Sequence, residues 1–276
     1  LGAALLWFVS HPLRGPGIER MIHPSALIDP KAKIGANVSI GAFTIVGADV
    51  EIGDDCEIGP HVVIEGPTRI GPRNHIFQFS SIGAAPQDKK FKGERATLEI
   101  GADNTIREFV TLNRGTADGG GVTRIGDRNW IMAYVHMAHD CIVGNDCIFA
   151  NASSLAGHVR VDDFVILGGF SLVHQFCQIG AHAFTAMGSV INRDVPPYTV
   201  VAGSYAEPKG INSEGLKRRG FSSESIMSIK RAYRTLYLSG MPLAEARAEI
   251  AKAAEATDEL RILSEFIDRS ERSLIR

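Results

Sequence analysis

The sequence carries no surplus of charge of either sign. Its 29 Lys and Arg stand against 31 Asp and Glu, a formal net charge of −2, so the basic footprint that nucleic-acid binding needs is missing. Long hydrophobic runs are missing too. None approaches the ~20 residues that cross a bilayer, so no membrane span is expected. Cysteine is scarce, at four in 276 residues. Cys56, Cys141, Cys147 and Cys177 all fall in one small-residue slot of the repeat described next. That placement marks them as packing residues, with no disulfide framework or metal set to form, and it fits a reducing compartment.

What is present is a beat of six. An aliphatic residue recurs at Ile22, Ile28, Ile34, Ile40, Val46, Ile52, Ile58, Ile64, Ile70, Ile76 and Ile82, resumes at Ile100, Ile106 and Leu112, and runs again from Ile125 to Ile191. Twenty-five of 26 beat positions are large and apolar. Six matches neither the helical 3.6 nor the strand period of two, so the repeat sets the architecture before local propensity does. Glycine often follows the beat, where a side chain would obstruct a turn, and the fifth position is mostly small or β-branched. Each hexad therefore reads as one short strand and one turn. Three hexads close a triangular coil of eighteen residues, and coils stacked ~4.8 Å apart pair their backbones with the coils above and below.

The beat ends near Pro196 and Pro197. We expect a parallel β-helix over residues 21–197 and a helical domain over 198–276, with residues 1–20 a non-native upstream extension and Met21 the preferred start. In the helical part Ser222 is the expected cap of a helix over 223–238, Pro242 suits the first turn of the next, and a third runs over 258–270. Ile226, Ile229, Ala232, Tyr233, Leu236 and Tyr237 form a buried stripe there, while Lys230, Arg231 and Arg234 share the opposite face and follow Lys217, Arg218 and Arg219. On a chain of negative net charge, such a cluster is what an acidic partner would require.

Two insertions interrupt the coils, at 84–99 and around 118–124. The first, rich in Gln87, Asp88, Lys89, Lys90 and Lys92, reads as a substrate-gripping loop; the second, glycine-rich, reads equally well as a loop with a role and as a solvated excursion. Histidines stand where the repeat does not need them: His136 and His139 beside Asp140, then His158, then His174 beside Gln175. Eighteen residues per coil places His158 one coil above Asp140 and Gln175 two above His139. Three uses are open to such a cluster: corner filling, a metal centre, or a general base whose neutral imidazole is held by a carboxylate.

The strings QDKK, NRGT, AHDC, LAGHV, VDDF, VHQFC, IGAH, DVPPY and EGLKRRGF resemble, in this order, the UDP-N-acetylglucosamine O-acyltransferase family of lipid A biosynthesis. The resemblance covers nearly everything after Met21. It implies a left-handed parallel β-helix with a C-terminal α-helical domain, a cytoplasmic homotrimer, and no cofactor or metal. It implies transfer of an (R)-3-hydroxyacyl group from acyl carrier protein to the 3-hydroxyl of UDP-N-acetylglucosamine. His139 matches the general base, Asp140 its orienting partner and Gly157 the oxyanion donor. Gln87, Asp88, Lys90, His136, His158 and Gln175 match sugar or acyl contacts, and His174, Asn212, Glu214 and Arg219 the nucleotide side. Lys217, Arg218, Lys230, Arg231 and Arg234 would meet the acidic carrier protein.

Asn113 and Tyr205 depart from the family, which often has histidine at both places. Met187 stands where members that accept longer chains carry glycine, and it implies an acyl group of roughly ten carbons, since each methylene excluded forfeits ~0.8 kcal/mol of burial. Rival readings are the later N-acyltransferase of the same pathway, a metal-dependent hexapeptide enzyme and a non-catalytic β-helix. The last would favour regular outward Thr or Ser ladders in place of these His, Asp and Gln corners.

Overall fold

A computed structural model describes residues 22–255 and 257–276. The expected upstream extension at 1–20, and Met21 with it, lie outside the described residues. Short strands, mostly of two residues, stack into three parallel sheets, begun by Leu27–Ile28, Lys33–Ile34 and Ser39–Ile40. The chain visits the three sheets in turn, so each coil has three corners: the first leads from first to second sheet, the second from second to third, the third back to the first. The register is eighteen, as in Ile28↔Val46 and Ile34↔Ile52. It widens only where the insertions leave, at Ile82↔Leu112 and Leu112↔Met137.

The beat explains the core. Ile64, Ile76, Ile82, Ile106, Leu112 and Ile131 are fully buried, with the fifth-position Val62, Val110 and Val135 beside them. All four cysteines are buried and free, and burial pushes the thiols of Cys141, Cys147 and Cys177 up to about 12, which leaves them uncharged packing groups. The left-handed residue of each turn is the fourth of the hexad and is rarely glycine: Asp140, His158 and Phe176 have φ of 61°, 63° and 66°. The glycine after the beat answers crowding instead. A Cβ at Gly53 would fall 2.7 Å from the Gly71 carbonyl carbon of the next coil.

Past Pro197 the structure differs from the helical reading. Strand Thr199–Ala202 extends the third sheet, and Glu207–Ile211 folds back on it antiparallel. A short helix α1 (Ser213–Arg218) comes before α2 (Ser223–Tyr237), α3 (Leu243–Ala254) and α4 (Asp258–Arg269). The hairpin holds no hexad, and six residues are too few to show a helical period. The Ser222 cap is present, its hydroxyl accepting from the Ser225 N–H at 3.0 Å. Ile229, Ala232 and Leu236 are buried, with Ile226, Tyr233 and Tyr237 half-buried. The C-terminal tail returns to the prism, where the buried Asp194 accepts from the Ser270 hydroxyl and the Arg272 N–H.

At the second corner His182 is stacked between Phe164 and Tyr198, with ring centroids 4.8 and 5.6 Å away. Burial, then the nearby Arg219 guanidinium, holds its imidazole down at about 4 against an ordinary 6.5. The unfolded chain therefore binds a proton that the folded chain refuses, and stability present above pH 6.5 is lost as pH falls toward 4. Replacing His182 by Phe keeps the ring stack and removes the proton. Denaturant titrations across that window should show a flatter pH dependence for His182→Phe, and an unchanged slope would refute this account.

Candidate active site

Both insertions leave from the first corner, and every histidine of the cluster lies on or beside it. Residues 85–96 follow strand Ser81–Ala84, residues 114–121 follow strand Thr111–Asn113, and the turns holding His139–Asp140, Gly157–His158 and Gln175–Phe176 sit on the next three coils. Met137, Leu155 and Val173 anchor those coils in the core. The eighteen-residue register therefore puts His158 directly above Asp140, and the His158 N–H donates to the His139 carbonyl at 3.0 Å.

The closest pair is His139 and Asp140. Nδ1 of His139 lies 2.7 Å from Oδ2 of Asp140, with side-chain exposures of 13% and 1%. Since an ionised carboxylate can only accept, the pairing assigns the proton to Nδ1 and the lone pair to Nε2. The carboxylate is held further by Thr116, whose N–H donates to Oδ1 at 2.8 Å and whose hydroxyl donates to Oδ2 at 2.7 Å. The Asp140 N–H donates to the Thr123 hydroxyl at 2.8 Å. A Cβ at Gly157 would stand 2.6 Å from Cε1 and 2.8 Å from Nε2 of His139, so glycine alone lets the imidazole lie against this backbone. The Gly157 N–H has no hydrogen-bond partner among the described residues.

The other imidazoles frame this pair. His158 meets His139 edge-on at 5.1 Å and stacks on Phe176 at 4.4 Å. His136 shares a 2.7 Å hydrogen bond with the Thr111 hydroxyl. Burial lowers the pKa of both, so both are neutral at neutral pH. The field on His158 also includes Asp140, His139, Asp88 and Lys90, which sets the first insertion against the cluster. Asp88 is half-buried and accepts from the Lys90 N–H at 2.9 Å; Gln87 and Lys90 are exposed. His174 and Gln175 are exposed on the same corner.

One protomer does not gather the remaining residues at this corner. Asn212 caps α1 by accepting from the Gly215 N–H and donates to the His182 carbonyl. Arg219 lies with its guanidinium carbon 4.4 Å from the centroid of Phe164 at the second corner. Glu214 is exposed and paired with Lys217 at 2.8 Å, while Arg218, Lys230, Arg231 and Arg234 are exposed. Met187 is 79% exposed on the third corner. Asn113 is buried, donating to the Ala84 and Ala85 carbonyls, and Tyr205 is exposed. Thr111, Thr116 and Thr123 were not singled out in the sequence, although Thr116 ends the string NRGT. Nothing in a threonine's spacing marks it as a partner of a carboxylate 24 residues away.

A metal centre here would use His139, Asp140 and His158, whose donor atoms lie within 4.8 Å of one another. Asp140, however, already accepts from Thr116 twice and from His139, so an ion would have to displace bonds that the fold has made. The hydrogen-bonded dyad is the arrangement that all of these contacts serve.

A family model described as UDP-N-acetylglucosamine O-acyltransferase, domain 2, matches residues 194–275, and one for bacterial transferase hexapeptide repeats matches residues 31–66 and 123–157. Over 207 residues the chain is 60% identical to an acyl-[acyl-carrier-protein]–UDP-N-acetylglucosamine O-acyltransferase of Janthinobacterium, covering 74% of this chain and 79% of that one. The UDP-N-acetylglucosamine acyltransferase structure of Francisella novicida superposes with a TM-score of 0.91 at 42% identity, covering 93% of this chain and 94% of that one. The Moraxella catarrhalis enzyme gives 0.90 at 42%, covering 92% and 99%. With that likeness the coil is a left-handed parallel β-helix, and the chain belongs to the UDP-N-acetylglucosamine O-acyltransferase family.

Proposed function

We propose that this acyltransferase moves an (R)-3-hydroxyacyl group from acyl carrier protein to the 3-hydroxyl of UDP-N-acetylglucosamine, the first step of lipid A biosynthesis, with His139 as general base. The observation that carries the reading is the imidazole of His139 lying against the backbone of Gly157, with Asp140 bonded at Nδ1 so that Nε2 is left to a substrate. A sugar hydroxyl at Nε2 gives up its proton as its oxygen attacks the thioester carbonyl. The Gly157 N–H receives the oxygen that becomes negative. Collapse of the tetrahedral intermediate breaks the carbon–sulfur bond, and the imidazolium returns the proton to the departing carrier thiolate. His136, His158 and Gln175, with Gln87, Asp88 and Lys90 from the loop, contact sugar or acyl chain.

A homotrimer fits the distribution of the parts over three corners. The base is on the first, Arg219 and Asn212 sit at the second and Met187 on the third, so neighbouring prisms would complete one another's sites. The third corner also carries a ladder of exposed stacked rings, Phe43, His61, Phe79, Phe109 and Tyr134, spaced 4.9–5.2 Å apart, a surface suited to burial between subunits. His174, Glu214 and Arg219 serve the nucleotide, and Lys217, Arg218, Lys230, Arg231 and Arg234 speed encounter with the acidic carrier. No described helix is long and apolar enough to cross a membrane, in keeping with a cytoplasmic setting for these substrates. Residues 21–197 would form the catalytic unit and 198–276 the helical one.

Transfer from 3-hydroxydecanoyl carrier protein should fall by two or more decades in His139→Ala, the scale of a lost general base. Activity that survives the substitution at equal folded fraction removes His139 from that role. The exposed Met187 side chain would close the far end of the acyl groove. Met187→Gly should therefore raise transfer of fourteen-carbon chains relative to ten-carbon ones, by about fourfold for each methylene newly buried at ~0.8 kcal/mol. An unchanged ratio in paired rate measurements rejects Met187 as the length determinant.

A further inference from the structure

The glycine-rich insertion is the one conspicuous segment to which this mechanism assigns no task. We infer that it is a positioning element, closing over Asp140 so that Thr116 holds both carboxylate oxygens and fixes which nitrogen of His139 carries the proton. The assignment rests on the reading of His139 as the base.

Its parts divide by physical need. Thr116 donates through its N–H to Oδ1 and through its hydroxyl to Oδ2. The same hydroxyl oxygen accepts from the Gly119 N–H at 3.1 Å, which turns its single proton toward the carboxylate. Gly119 lies so close that a Cβ would fall 2.0 Å from Cγ of Asp140 and 2.2 Å from Oδ2. Gly120 and Gly121 have φ of +96° and +80° with open space around them, so they supply the turn that brings the loop back to strand Val122–Ile125. Thr116 is itself buried. Nothing in the coil requires these contacts, since the turns at Gly157–His158 and Gln175–Phe176 close without an insertion.

A carboxylate gripped at both oxygens cannot rotate away from His139. Nδ1 then stays protonated and Nε2 stays available, which is the state a base must occupy before every turnover. Thr116 is a positioning residue in this scheme, because Asp140 is the one residue of the dyad that it bonds. The charged and titratable groups facing His139 are Asp140 on its own turn, His136 on its own coil and His158 on the coil above, with Asp88 and Lys90 of the first insertion beyond His158. All of these remain when Thr116 is changed.

The test compares Thr116→Val with Thr116→Ser in the full chain, using kcat, KM, the pH profile of kcat/KM and imidazole nitrogen NMR. In the valine variant kcat should fall about tenfold, the loss of one oriented hydrogen bond, with KM for the sugar nucleotide little changed. The acidic limb should move to lower pH, because a carboxylate free to swing away from His139 no longer stabilises the imidazolium. The nitrogen spectrum of His139 should change from one tautomer to a mixture. Serine should restore all three. A wild-type limb and a single Nδ1–H tautomer in the valine variant overturn the assignment, as does a serine variant impaired to the same degree at equal thermal stability. Should valine prevent folding, Gly119→Ala displaces the same carboxylate and is read in the same way. Transfer that survives His139→Ala would remove the base, whereas the tautomer measurement judges the clamp without reference to turnover.

Discussion

Everything in this molecule depends on the vertical register of the coil. Parallel strands of two residues are far too short to stand alone, and they hold because each backbone group pairs with the coil above and the coil below. The register is enforced by burial: shifting a coil by one residue would turn Ile131 or Leu155 outward and drive a polar neighbour into the core. A fixed register then gives every outward side chain a partner eighteen residues on. Rings stack on rings along the third corner, and Lys33, Glu51 and Arg69 alternate in charge along the second sheet. The site inherits its precision from the same rule, because His139 and Gly157 are brought together by two neighbouring turns of a rigid column.

The insertions show what the column tolerates. They lengthen the coil to thirty and twenty-five residues, yet Ile82↔Leu112 and Leu112↔Met137 still pair beat with beat. Extra chain is expelled at a corner, where it costs the core nothing, and both expulsions occur at the corner that carries the histidines. One loop brings Asp88 and Lys90 toward His158 and the other brings Thr116 onto Asp140. Neutral imidazoles, one buried carboxylate and loop charges at the rim form a graded environment that a smooth turn of six residues could not supply.

Much of this was legible in the sequence, for a physical reason. A period of six with an eighteen-residue coil converts sequence distance into spatial distance, so the stacking of His158 on Asp140 could be read by counting. The cysteines were legible through their slot, and the Ser222 cap through its chemistry. The hairpin at Thr199–Ile211 and helix α1 were not, because neither is long enough to show a period. Thr116 was hidden for a different reason: its link to Asp140 runs through an insertion, where the count of eighteen fails. The hand of the coil was equally beyond the period and came from likeness to relatives.

The contrast between corners bears on where the proposed chemistry sits. At the second corner the third residue of four hexads caps the coil below. Asp54 accepts from the Ala36 N–H, Asp127 from Ala102, Asn145 from Asp127 and Asp163 from Asn145, each at 2.7 Å. That ladder satisfies donors which the turn geometry would otherwise leave open. The same position on the first corner is filled by His139, Gly157 and Gln175. Gly157 has no side chain with which to cap the coil below it, and among the described residues no side chain from the coil above reaches its own N–H. The fold therefore caps several turn donors along one edge and leaves that of Gly157 open on another, beside the imidazole. A donor left unsatisfied by the protein is one that can be satisfied by a developing oxyanion, so under the proposed mechanism the local departure from hydrogen-bond completeness at Gly157 is what would suit this edge to the reaction.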